Sequence, residues 1–125
     1  MAPNLTPLAG HACQARTEGG LTPSAALNEA FRRTLTGGQV MLTAGVAALD
    51  PPDRLAVLDL VRGFDAFTSG CDPYGERDFG AVEHAGVRYF FKIDAYDRSY
   101  AYASPDPADP AVTCRVMTLM RADEY

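Results

Sequence analysis

Phe79-Gly80-Ala81-Val82-Glu83-His84-Ala85-Gly86-Val87-Arg88-Tyr89-Phe90-Phe91-Lys92-Ile93-Asp94 is the stretch that decides the fold. Two runs rich in β-branched and aromatic residues flank Ala85-Gly86, so a two-residue turn there makes a hairpin of 79–84 and 87–94. That turn sets Glu83 opposite Arg88 and Val82 opposite Tyr89. Val82, Tyr89, Phe91 and Ile93 then share one face, and Glu83, Arg88 and Lys92 share the other. The alternation predicts a sheet with one face on a core and one face wet.

Outward from the hairpin, Gln39–Thr43 reads as a short apolar strand. Arg98–Ala103, where Tyr100 and Tyr102 alternate with small residues, reads as a further strand. Thr22-Pro23, Asp50-Pro51 and Asp109-Pro110 each place a capping side chain before a proline at the first helical position. They predict a helix from Pro23 to Arg33, with Ala26, Leu27, Ala30 and Phe31 inward and Gly37-Gly38 as its stop. A second helix is expected from Pro51 to about Thr68. Leu55, Leu58, Val61, Phe64 and Phe67 recur there at helical spacing, and Val57 and Leu60 widen the stripe. A third is expected from Pro110 to about Ala122, burying Val112, Val116, Leu119 and Met120. The order α-β-α-β-β-β-α predicts an α+β fold: a single antiparallel β-sheet, the hairpin plus flanking strands, with about three helices packed on one face. Residues 1–20, with Pro3, Pro7, Gly10, Gly19 and Gly20 and few large apolar groups, are expected to form a mobile tail before one domain at 21–125. His11 and Cys13 in that tail are too few for a metal site.

The 125 residues, 47% hydrophobic and 22% charged, suit one ordinary globular domain. Cys13, Cys71 and Cys114 form no Cys-x-x-Cys pair, which favours reduced thiols and a cytoplasmic location. No signal-peptide pattern is visible, and no apolar run nears the roughly 18 residues of a membrane span. The net charge of −5 argues against direct nucleic-acid binding and against an anionic membrane surface. Ten of the eleven basic residues are arginine, which fits a GC-rich coding sequence. Residues 72–109 hold eight acids against four bases, so four of the five excess negative charges fall there.

The segment Asp72-Pro73-Tyr74-Gly75-Glu76-Arg77-Asp78-Phe79-Gly80 is followed by Phe91-Lys92-Ile93-Asp94-Ala95-Tyr96-Asp97, by Ser104–Pro110, by Arg115-Val116-Met117-Thr118-Leu119-Met120 and by Glu124-Tyr125. Together with Leu27-Asn28-Glu29-Ala30-Phe31-Arg32 and Thr43-Ala44-Gly45-Val46, these motifs resemble a bacterial family known as domain of unknown function three-seven-six-eight, over about residues 25–125. Ala95 stands where an aromatic is expected, and Cys71 is not part of the pattern. The resemblance implies a bacterial cytosolic protein, of a kind often carried on plasmids and phages, and it assigns no catalytic residue, cofactor or ligand.

Asp72, Glu76 and Asp78 precede the hairpin and Asp94 and Asp97 follow it, at the same end of the sheet. Four readings stand open. The carboxylates are structural, with Asp72-Pro73 in a turn, Arg77 and Arg98 neutralising their neighbours and Asp side chains holding loop N–H groups. Alternatively they bind a divalent metal, work as an acid–base pair with separated pKa values, or form an acidic recognition face. Tyr74 and Tyr96 accompany them, as aromatics do in protein interfaces, although tyrosines on a sheet also pack ordinarily. A Cys71–His84 thiol–imidazole pair is disfavoured: the acidic loop raises the thiol pKa, and His84 lies at the opposite hairpin end. The expected function is a small acidic interaction protein with no catalytic residue, no metal and no cofactor. Asp72, Tyr74, Glu76, Asp78, Asp94, Tyr96 and Asp97 would face a protein with a basic surface. A mobile-element inhibitor of the anti-restriction or anti-CRISPR type is one concrete form, and a small metal-assisted enzyme using the 72–78 and 94–97 carboxylates is the alternative.

Overall fold

Strands β2 (Phe79–His84) and β3 (Val87–Tyr96) form the expected hairpin in a computed structural model that describes residues 21–68, 70, 72 and 74–125. The tail expected at residues 1–20 lies outside the described residues. Glu83 pairs with Arg88 and Val82 with Tyr89. Ala85 and Gly86 both take positive φ, 53° and 79°, as a tight turn matching the strand twist requires.

Helix α1 runs Pro23–Thr34, and the Thr22 side chain accepts from the Ala25 N–H. It ends earlier than the Gly37-Gly38 stop: Leu35 adopts the left-handed conformation at φ 60° and its N–H returns to the Phe31 carbonyl. The buried face is also rotated from the expected one. Ala25, Asn28, Phe31 and Arg32 are inside, whereas Ala26 and Ala30 are exposed. Strand β1 (Gln39–Leu42) and the short helix α2 (Ala44–Ala47) follow, then helix α3 (Pro51–Arg62). Gly63 closes α3 well before Thr68, leaving Val57 and Val61 as its fully buried residues and Leu55 and Leu60 exposed. Phe64 and Phe67 still reach the core, from the irregular chain beyond the helix.

Two expected elements are corrected. Asp109 does cap Pro110, accepting from the Ala111 N–H, but the result is a single 3-10 turn at Pro110–Val112. The chain then extends as strand β4, Cys114–Arg121. Val116 and Leu119 share a helical face but fall on opposite faces of a strand, and pairing overrode the helical pattern: β4 is a central strand bonded to β3 on one side and β1 on the other. Arg115, Met117 and Leu119 point to the core in alternation with Val116 and Thr118. The expected strand at Arg98–Ala103 is a loop with one isolated bridge, Tyr96 to Ala103. Its backbone N–H groups turn onto Asp97 and are lost to a ladder.

The sheet order is β1-β4-β3-β2. Strands β2, β3 and β4 are antiparallel, but β1 runs parallel to β4, with Gln39 beside Val116 and Leu42 beside Leu119. The fold is therefore α+β with a mixed sheet, and the wholly antiparallel expectation is overturned by β4 standing where a helix was expected. Three helices pack on the inner face, where Phe31, Val46, Val57 and Val61 meet Tyr89, Phe91, Ile93, Met117 and Leu119. A Cβ on Gly80 would come 2.5 Å from the Phe91 ring, so glycine is what lets β2 lie over that aromatic. The outer face is less wet than expected: Phe79, Phe90 and Tyr125 cluster on it with ring centroids 5.2–5.9 Å apart.

Candidate functional site

The described residues between Phe64 and Asp78 lead into β2, and Glu76 and Arg77 meet the middle of α1. Asp72 is buried, and its carboxylate accepts from the Glu76 N–H at 2.8 Å and the Arg77 N–H at 3.1 Å. Gly75 and Arg77 take positive φ there, so the side chain holds a tight, locally strained turn. Asn28 of α1 donates to the Glu76 carbonyl at 2.9 Å. Arg77 reaches back to Glu29 at 3.1 Å and stacks on Phe67, 5.1 Å from its centroid. The loop is thus fastened to α1 by polar contacts.

Behind these contacts lies a buried polar layer. Arg32, with no exposed surface, donates to the Val61 and Arg62 carbonyls at the end of α3 and to Glu29, and its guanidinium sits over Phe67 and Phe91. Arg62 reciprocates, donating to the Arg33 carbonyl at the end of α1. Arg115 donates to Asn28 at 2.7 Å and to the Pro107 carbonyl at 2.7 Å. Burial pushes the Glu29 carboxyl up, but hydrogen bonds from Arg33, Arg32 and Arg77 outweigh it and leave the pKa below the ordinary value. Sequence reading missed these residues as a group. Their signal was present in the i, i+3, i+4 spacing of Ala25, Asn28 and Arg32 with Phe31, and in the motif segments containing Asn28, Arg32 and Arg115.

Each expected site residue has a definite place. Asp72 is a loop anchor, and Tyr74 beside it is exposed. Asp97 is likewise a loop anchor: its Oδ1 accepts from the Ser99 N–H and hydroxyl and from the Ala101 N–H, which hold its pKa low. Asp94 pairs with Lys92 at 3.2 Å. Tyr96 packs against Tyr100 with centroids 6.2 Å apart. Asp78 is different. Burial, then the charges of Asp72 and Glu76 and, more weakly, Asp94, raise its pKa to about 6. Burial is thus the larger cause at Asp78, and the charges of Asp72, Glu76 and, more weakly, Asp94 add to it. Asp97 is spent on its own loop.

Cys71 lies outside the described residues, and His84, at the far hairpin tip, is 2.9 Å from Asp53 Oδ1. Among the described residues no group of three or more His, Cys, Asp or Glu side chains is arranged to hold a metal ion. Among the same residues no helix is long and apolar enough to cross a membrane.

The model of the family described as Protein of unknown function (DUF3768) matches residues 42–124, more than half of the chain. The chain belongs to this family. The match takes in the acidic loop, the hairpin and β4, while α1 lies outside it, a narrower extent than residues 25–125. No curated protein and no solved structure matches the chain.

Proposed function

We propose that this chain is a small acidic binding protein, with no catalytic role, that engages a basic protein surface through the sheet end carrying Tyr74, Glu76 and Asp78. Asp72 and Asp97 shape the loops, and Asp94 and Tyr96 border the surface. What supports this reading is the exposed Tyr74 in the same loop as Glu76 and a half-buried Asp78, whose pKa is raised by burial and then by the charges of Asp72, Glu76 and Asp94. Like charges gathered beside a half-buried carboxylate cost folding free energy, and an arriving arginine or lysine side chain relieves that cost. An exposed tyrosine beside the acids supplies the flat contact area typical of protein interfaces.

A bacterial, cytoplasmic, mobile-element inhibitor is the concrete form we favour. By imitating phosphate charge it would occupy the basic groove of a nucleic-acid-binding enzyme, in the manner of anti-restriction or anti-CRISPR proteins. A chain net charge of −5 concentrated in residues 72–109 supports that form. Capture from a bacterial lysate tests it, using the full chain and the double variant Glu76→Gln, Asp78→Asn, which leaves the loop-anchoring Asp72 and Asp97 intact. A basic protein held by the wild type, released by added salt and lost with the double variant is the expected result. Equal recovery of every partner by both proteins contradicts it.

A further inference from the structure

Alternate residues of β3 on the outer face read Phe90, Lys92, Asp94, Tyr96: aromatic, cation, anion, aromatic. The pairing of β3 with its neighbours places them on the side away from the helices, beside Met120, Thr118 and Val116 of β4. Neither aromatic end is alone. Phe90 clusters with Phe79 and Tyr125, and Tyr96 with Tyr100. Lys92 and Asp94 between them keep 41% and 28% of their side-chain surface exposed.

This pattern is its own complement when reversed. A two-fold axis lying along the face, perpendicular to β3 at the level of Ile93, sets Lys92 over Asp94 of a copy and Phe90 over its Tyr96. The same operation brings Val116 over Thr118 on β4. Such reciprocity is what an isologous interface demands. The face also carries no net charge at its centre, although the chain is acidic, so two copies approach there without local repulsion.

We propose that the outer sheet face is the interface of a symmetric homodimer, with the Lys92–Asp94 pair exchanged between copies. The four strands, of 4, 6, 10 and 8 residues at roughly 3.3 Å each and about 4.8 Å apart, present roughly 440 Å² per copy. The total of about 900 Å² is below the range of stable specific interfaces, so the dimer is a weak, reversible one. This goes beyond the binding reading: it uses Asp94 and Tyr96 but leaves Tyr74, Glu76 and Asp78 free for a different partner.

Sedimentation equilibrium of the full chain tests the proposal, with Lys92→Asp and Asp94→Lys variants alone and mixed. The wild type is expected to dimerise with increasing concentration, and each single variant to associate at least tenfold more weakly. An equimolar mixture of the two variants is expected to restore association as a heterodimer, because one face then carries two acids and the other two bases. A chain that stays monomeric at all concentrations overturns the proposal. So does a dimer indifferent to both variants, or a mixture that fails to associate while both variants melt like the wild type.

Discussion

Asp78 is the residue at which folding and the proposed function pull in opposite directions. Its folded pKa of about 6 exceeds the ordinary 3.8, so folding favours its neutral form. That contribution is fully present below pH 3.8 and is lost as pH rises through 6. Asp78→Asn, which fixes the neutral shape, is therefore expected to stabilise the protein at pH 8 by up to about 3 kcal/mol. Near pH 3.5 it is expected to leave the midpoint of denaturant unfolding unchanged. Equal midpoints at pH 8 would show that Asp78 carries no such penalty. Gly80 is a second residue with one demand on it. Gly80→Ala is expected to cost about 2 kcal/mol by forcing the Phe91 and Phe64 rings aside, measurable as a lowered Tm.

At the scale of elements, arginines join α1 to α3 alongside the apolar contact of Phe31, Val57 and Val61. Arg32 satisfies carbonyls at the end of α3, and Arg62 satisfies one at the end of α1. Removing Arg32 takes one donor from each of those carbonyls and empties a buried site, while Glu29 keeps Arg33 and Arg77. Arg32→Ala is expected to destabilise by about 3–5 kcal/mol, and Arg32→Lys to rescue little, since an ammonium lacks the planar fork and stacks poorly on Phe67 and Phe91. Urea titration of both variants measures this. The hairpin was legible in full because its register follows from one turn and a period of two. The start of α1 was legible because Thr22 and Pro23 act locally. β4 was not, because Val112, Val116, Leu119 and Met120 match a helical face, while the true alternation of Arg115, Met117 and Leu119 includes an arginine that reads as a surface residue. The buried face of α1 was hidden for a related reason. Asn28 and Arg32 count as surface residues until Arg115 and the α3 carbonyls arrive from distant parts of the chain.

At the scale of the whole molecule, the sheet divides the chemistry. Its inner face carries the helices and the core, its outer face an aromatic and charge-balanced surface, and one end the loop of Asp72, Glu76 and Asp78. That the loop carrying Asp72, Glu76 and Asp78 and the strand end carrying Asp94 leave by one end of the sheet was readable from the hairpin alone. The separate duty of Asp97 was not, because it depends on a loop whose tyrosines resembled a strand. If the sheet end binds a cationic surface, acid must weaken that binding. Capture of a basic partner is expected to fall as pH drops below about 6, where Asp78 takes up a proton. The most direct measurement is titration of the isotopically labelled full chain with an arginine-rich peptide, followed residue by residue by NMR. Shifts concentrated at Tyr74, Glu76, Arg77 and Asp78, and abolished by Glu76→Gln with Asp78→Asn, are the expected result. Shifts spread evenly over the exposed acids, or unchanged by that double variant, would contradict the account.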